Sequence, residues 1–185
     1  MQKTKECLFL LYCGMKCYKI VYKWEIVGRR NYNLLTTKNT FMLIGEYIHT
    51  IDDKKRLSLP VKFRKEMGKK IVITSGLDNC LFIFTMQQWK NISAKLSEAN
   101  MLRADNRSFN RYMFGSATEV EVDALGRMLV PDFLISRASL KGKVALIGVQ
   151  DRVEIWNEEA WKAYKGVVEK EADQLAEKLG NAGML

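Results

Sequence analysis

Apolar residues along this chain fall into short runs separated by polar turns, and the runs come in matched sets. A strand-like run ends at Ile51, a polar turn follows over Asp52 to Lys55, and a second short strand runs from Arg56 toward Pro60. Alternating runs on either side of an Asp-containing turn predict a β-hairpin. Pro60 suits the first position of a short helix, where its missing N–H costs nothing. Phe63 and Met67 then share one helix face, four residues apart, and Gly68 can end the helix. Two more strands are predicted, Ile71 to Ser75 and Cys80 to Phe84, joined by a turn at Gly76-Leu77-Asp78-Asn79.

Thr85-x-x-Gln88 has the form of a capping box opening a helix that carries Trp89, Ile92 and Leu96. The same grammar then returns. The segment from Thr50 to Pro60 recurs from Glu121 to Pro131, at an offset of 71 residues with the Asp-x-x-x-Arg-x-x-x-Pro frame intact. Gly76 to Phe84 and then Trp89 recur as Gly148 to Trp156 and then Trp161, at an offset of 72. Strands are predicted at Val144 to Val149 and Arg152 to Trp156, and Asn157 opens a final helix with Trp161, Tyr164, Val168, Leu175 and Leu179 on one stripe. The chain is therefore read as two copies of one unit, joined by a charged helix-prone stretch near Leu96 to Met113. A unit of about 45 residues is near the lower limit for an independent core. Two copies side by side can share one, and association with further chains is physically expected. Trp89 and Trp161 are assigned to core packing.

Composition sharpens this picture. The 185 residues hold 30 Lys+Arg against 21 Asp+Glu, for a formal charge of +9. Residues 1–41 hold eight basic and two acidic residues, and also Cys7, Cys13 and Cys17. That segment is expected to be an appendage or an over-long start, with Met42 as the natural first residue. Its cysteines lack a CxxC pair, so a metal site is not expected. Cys80 reads as a buried small hydrophobe, and nothing argues for disulfides, which fits a reducing cytoplasm. No apolar run reaches the ~18–20 residues of a membrane helix.

Catalysis finds little support. His49 is the single histidine, and no phosphate-binding glycine loop or helical His-Glu-x-x-His is present. Asp52 and Asp123 as a paired-carboxylate site lack an Asp-Thr-Gly frame, and each has its own Arg four residues on. No enzyme, cofactor or small-molecule substrate is expected.

Each Asp-x-x-x-Arg turn can bring its carboxylate and guanidinium together across a hairpin tip. Asp52 and Asp123 are expected to structure the turns by accepting N–H bonds and orienting Arg56 and Arg127. The two tips differ. The first reads Asp53-Lys54-Lys55-Arg56, the second Ala124-Leu125-Gly126-Arg127. Residues 42–113 carry a net charge of +6 and residues 114–185 a net charge of −3. An acidic half is a poor phosphate binder. Nucleic-acid contact therefore falls to the first unit through Lys54, Lys55 and Arg56, and support to the second. Arg64, with Lys62 and Lys65, is either a secondary contact or a solvated helix face.

From Met42 onward the chain resembles the MraZ family of bacterial transcriptional regulators, built from two SpoVT-AbrB domains in tandem. The residues carrying the resemblance are Gly45-Glu46-Tyr47-x-His49-Thr50-Ile51-Asp52, both Asp-x-x-x-Arg turns, Phe63-Arg64 and Gly76-Leu77-Asp78-x-Cys80-Leu81-Phe82. Phe114-Gly115-Ser116-Ala117-x-Glu119 and Ile147-Gly148-Val149-x-Asp151-Arg152-x-Glu154-Ile155-Trp156 complete them.

The resemblance implies an α+β fold of two tandem AbrB-like swapped-hairpin units, pseudo-two-fold related, with a C-terminal amphipathic helix. Its parts would be domains over 46–88 and 117–160, a helical linker over 89–116, and a helix and tail over 161–185. It implies a cytoplasmic, nucleoid-associated homo-oligomeric ring that binds direct repeats in double-stranded promoter DNA, upstream of the division and cell-wall gene cluster holding its own gene. In this family the Arg of the first turn, here Arg56, contacts DNA. An antitoxin-type or protein-binding module acting without specific DNA is the alternative that AbrB-like folds also host. One departure stands out: the family usually has Gly where this chain has Lys55, whereas Gly126 keeps it. If that position is left-handed, Lys costs about 1–2 kcal/mol there, or the turn changes type.

Overall fold

The computed structural model describes residues 8–9, 12–13, 16–17, 20–21 and 42–183. The chain divides into two units, Met1–Thr40 and Phe41–Leu185. In the first, β1 (Leu8–Phe9) pairs with β4 (Ile20–Val21), and β2 (Tyr12–Cys13) with β3 (Lys16–Cys17). The sequence expectations for residues 1–41 otherwise lie outside the described residues.

The second unit is α+β. Its first half runs β5 (Leu43–Thr50), β6 (Arg56–Ser58), α1 (Val61–Met67), β7 (Lys70–Ser75), β8 (Leu81–Thr85) and α2 (Met86–Glu98). After α3 (Ala104–Gly115) come β9 (Thr118–Glu121), β10 (Arg127–Leu129), α4 (Asp132–Arg137), β11 (Lys143–Gln150), β12 (Val153–Asn157) and α5 (Glu158–Asn181).

Six strands form one antiparallel sheet in the order β5-β11-β12-β8-β7-β9. The order sets strands of one copy beside strands of the other. β5 of the first copy lies on β11 of the second, with Thr50 opposite Lys143 and Leu43 opposite Gln150. β9 of the second lies on β7 of the first, with Lys70 opposite Glu121. The remaining short strands, β6 and β10, pair with each other as a separate ribbon in which Leu57 faces Met128.

Three layers result. One face of the sheet packs on the ribbon and the two short helices through Leu57, Leu59, Phe63, Met128, Val130 and Leu134, all essentially buried. The other face packs under α2, α3 and α5 through Phe82, Phe84, Ala145, Ile147 and Trp156, with Trp89 and Trp161 half-buried against them. Both tryptophans thus lie in packing positions, as expected. The four inner strands are covered on both sides, so Ile71 to Ser75 and Leu81 to Phe84 read as continuous buried runs rather than alternating ones.

Local signals hold in detail. Gln88 N–H donates to Thr85 Oγ1 at 3.1 Å and Thr85 N–H to Gln88 Oε1 at 3.4 Å, closing the capping box. Asn157 Oδ1 accepts from the amides of Glu159 and Ala160. One expectation shifts by a residue. Pro60 and Pro131 are caps, not first helical residues. Each has extended ψ (143°), and the carbonyl of Pro60 accepts from Arg64 N–H at 3.0 Å. The cap position asks only for that carbonyl, so proline loses nothing there. Between the copies, the helix-prone stretch is two helices, because Ala99 and the turn at Met101–Leu102 break α2 from α3.

Candidate nucleic-acid interface

The two Asp-x-x-x-Arg segments fold into near-identical turns. In the first, Lys55 N–H donates to the Asp52 carbonyl at 2.8 Å and Asp52 N–H to the Arg56 carbonyl at 3.0 Å. The Asp52 carboxylate takes Arg56 N–H on Oδ1 at 2.9 Å and Arg56 Nε on Oδ2 at 2.7 Å, with Nη2 2.6 Å from Oδ2. In the second, Asp123 takes Arg127 N–H and Nε at 2.8 Å each, with Nη2 2.8 Å away, and Leu125 N–H at 2.9 Å. Charge-assisted bonds of this kind fix both the turn and the direction of the guanidinium.

The carboxyls respond accordingly. The Arg56 side chain, then its backbone amide, holds Asp52 below the ordinary carboxylate range. For Asp123 the Arg127 amide comes first. Both acids stay ionised wherever the arginines need them.

The ribbon sets the two turns beside one another. In its register Arg56 faces Leu129 and Ser58 faces Arg127. Paired residues point to one side of an antiparallel ladder, and neighbours alternate. Leu57 and Met128 therefore point inward to the core, while Arg56, Ser58, Arg127 and Leu129 point outward. Burying Leu57 and Met128 contributes about 1.5–3 kcal/mol each and holds that outward face in place. Arg56 and Arg127 are similarly open, with side chains 33% and 31% exposed. Asp52 occupies the Nε–Nη2 edge of Arg56, so the Nη1 edge is the one presented. Lys54 and Lys55 are exposed beside it.

The turns also bond to each other reciprocally. Leu59 N–H donates to the Gly126 carbonyl and Val130 N–H to the Lys55 carbonyl, at 2.9 Å each. Both acceptor residues are left-handed, Lys55 at φ 60° and Gly126 at φ 79°. Lys55 thus keeps the turn type of its glycine counterpart and carries the strain. Its ammonium pairs with Asp132 in the first turn of α4.

Arg64 departs from the reading of it as a solvated helix face. Its helix face is half-buried, not solvated. Nη1 donates to the Leu125 carbonyl at 2.9 Å, and Nε is buried without a partner among the described residues. The side chain lies where a Cβ at Gly126 would be. Lys62 and Lys65 stay exposed on α1. The sequence did hold a signal for this contact: the second copy has Ile135 at the position of Arg64, so only one turn has such a cover.

Elsewhere, Glu154 is a buried carboxylate bonded by Arg152 Nε at 3.1 Å and Nη2 at 2.8 Å, and by Trp156 Nε1 at 3.0 Å. Arg152 also stacks on Phe82. In this network Glu154 and Trp156 are buried while Arg152 stays partly exposed at the edge. Among the described residues no cluster of three potential metal ligands occurs, and no helix is long and apolar enough to cross a membrane.

Comparison with known proteins agrees with this double architecture. A family model described as "MraZ protein, putative antitoxin-like" matches twice, over residues 42–112 and 113–180. The chain is 45% identical over 140 residues to the transcriptional regulator MraZ of Caldanaerobacter subterraneus subsp. tengcongensis, covering 76% of this chain and 98% of that protein. It is 48% identical over 138 residues to that of Moorella thermoacetica, covering 75% and 96%. With that of Acetivibrio thermocellus it shares 43% over 143 residues, covering 77% and 100%.

Proposed function

The chain belongs to the MraZ family, and from that premise we propose that it is a transcription regulator whose β6–β10 ribbon docks on promoter DNA. Its cognate sites are short direct repeats upstream of its own gene, within a division and cell-wall gene cluster. The assembly is a homo-oligomeric ring in the cytoplasm, associated with the nucleoid. The hairpins β5–β6 and β9–β10 act as the swapped hairpins of an AbrB-like pair.

Lys54, Lys55 and Arg56 supply the contacts. The lysines neutralise phosphates, and Arg56, buttressed by Asp52, presents its free edge to a guanine or a phosphate. Arg127 stands on the same outward face but in the acidic half, and serves chiefly to fix the second turn with Asp123 and Gly126. Arg64 acts on that turn from behind and is a positioning residue. The observation carrying this reading is the pair of carboxylate-held arginines on one outward face, beside the exposed Lys54 and Lys55. A few charges per subunit bind weakly, and simultaneous engagement of several repeats by several subunits raises the effective concentration.

Footprinting on the DNA upstream of the gene at low salt tests this. The wild type protects spaced repeats and loses affinity steeply as salt rises. Arg56→Ala loses protection at least tenfold with unchanged oligomer mass. Normal protection by that variant overturns the assignment, and failure of the wild type to bind specifically favours the protein-binding alternative.

A further inference from the structure

The outward face of the β6–β10 ribbon carries Arg56, Ser58, Arg127 and Leu129. The duplication sets them in crossed pairs. Arg127 stands opposite Ser58. Arg56 stands opposite Leu129, which is the counterpart of Ser58 at the offset of 71 residues. Two equivalent arginines therefore have unlike neighbours, a hydroxyl beside one and a branched apolar chain beside the other.

Leu129 has no part in the core. It is 57% exposed, whereas Met128 and Val130 on either side of it point inward and are 1% exposed. It also has apolar company. Phe133, 52% exposed, lies in the first turn of α4 next to Asp132, whose carboxylate holds Lys55. At the positions matching Leu129 and Phe133 the first copy has Ser58 and Lys62. Exposed leucines are common on protein surfaces, but this one is the ladder partner of the arginine assigned to DNA.

A phosphate offers an apolar side chain nothing. What a duplex does offer is the C5-methyl of thymine, which projects into the major groove, and that groove admits a two-stranded β-ribbon. The outward groups of this ribbon match what base edges present there: arginine suits guanine, a hydroxyl suits donors and acceptors alike, and an apolar chain suits the methyl. Ladder partners stand about 4.5–5.5 Å apart at Cα, on the scale of one step of roughly 3.4 Å between stacked bases.

We propose that Leu129 is a specificity residue, reading a thymine methyl in the base pair next to the one Arg56 contacts. The inference rests on the docking of the ribbon on DNA and adds a base to what that docking recognises. It also gives the charge-poor second copy a share in recognition. The first copy supplies charge and the second supplies a contact that depends on sequence.

Deleting the methyl from the DNA tests it. The probe is the upstream duplex carrying the protected repeats, titrated by fluorescence anisotropy at fixed low salt, with thymines replaced one at a time by deoxyuridine. That exchange removes only the methyl group. At one position in each repeat it weakens wild-type binding about fourfold, the worth of one buried methyl. Leu129→Ser, which copies the side chain of Ser58, binds the natural duplex more weakly by at least that factor and is indifferent to the deoxyuridine.

Wild-type indifference to every deoxyuridine overturns the proposal, as does a Leu129→Ser variant that still responds to the lost methyl. Binding that depends on Arg56 but on no methyl overturns this inference alone. A wild type that ignores the upstream duplex overturns it together with the docking.

Should Leu129→Ser lose its cooperative melt, the wild type decides the matter by itself. Cytosine paired with guanine in place of the sensitive thymine pair weakens binding, and 5-methylcytosine at that position recovers about fourfold. Equal affinity for cytosine and 5-methylcytosine there overturns the proposal.

Discussion

Arg64 of the first repeat lies across Gly126 of the second, its Nη1 on the neighbouring Leu125 carbonyl at 2.9 Å, in space that any side chain at position 126 would need. The contact ties α1 to the second turn and makes that glycine necessary twice over, for its left-handed backbone and for the room it leaves.

Gly126→Ala is therefore expected to cost about 1–2 kcal/mol in backbone strain, and about 1 kcal/mol more from the displaced Arg64 bond. In an Arg64→Ala background the second part vanishes. Urea denaturation of the four proteins in that cycle gives the coupling directly.

Lys55 holds the equivalent position without such a cover. Lys55→Gly relieves about 1–2 kcal/mol of left-handed strain while giving back about 0.5–1 kcal/mol in unfolded-state entropy. The exposed pair with Asp132 contributes little. The melting temperature should rise by about 2–3 °C for a chain of this size. The same variant should bind DNA more weakly, with a salt slope about one unit shallower per engaged subunit. Together the two readouts separate strain from charge at one residue.

Acidification should weaken the fold through His49. Burial first, and the Arg64 charge second, disfavour its protonated form, so its folded pKa lies below the ordinary 6.5. The unfolded chain then takes the proton earlier as pH falls, and stability that is complete above about pH 6.5 drains away through the histidine range. The melting temperature should decline from about pH 7.5 to 5.5, and His49→Gln should flatten that slope. Asp52 and Asp123 do not confuse the experiment. Their folded values lie below 3.8, so their contribution is retained above that value and lost only as pH falls beneath it.

Cys80 should be inert. Burial, with Glu154 and Asp78 nearby, pushes its thiol up to about 12, so almost no thiolate exists at neutral pH. Peptide mapping after alkylation should find Cys80 unmodified in the folded protein and fully modified in denaturant.

Most of the local structure was legible in the residues themselves. The offset repeat, the capping box at Thr85 and Gln88, the Asn157 cap and the buried Cys80 each depend on neighbours a few positions apart. Strand partnership was not legible in composition or periodicity, because alternation says which face of a strand is buried and never which strand lies beside it. Swapped hairpins were expected only through family resemblance; what the β5–β11 and β7–β9 ladders add is which strands lie side by side and in what register. The roles of Arg64 and Asp132 were hidden for a related reason. Each bonds across the repeats, to Leu125 and Lys55, and no spacing rule links residues that far apart. The turns themselves followed the reading because an Asp four residues before an Arg closes on itself.

The pairing of β5 with β11 has a consequence for how the protein is made. Thr50 finds its partner at Lys143 and Leu43 at Gln150, roughly a hundred positions later. On the ribosome, the first strand of the domain emerges with nothing to lie against. It waits through most of synthesis for the segment that completes it, and so neither half matures before the other.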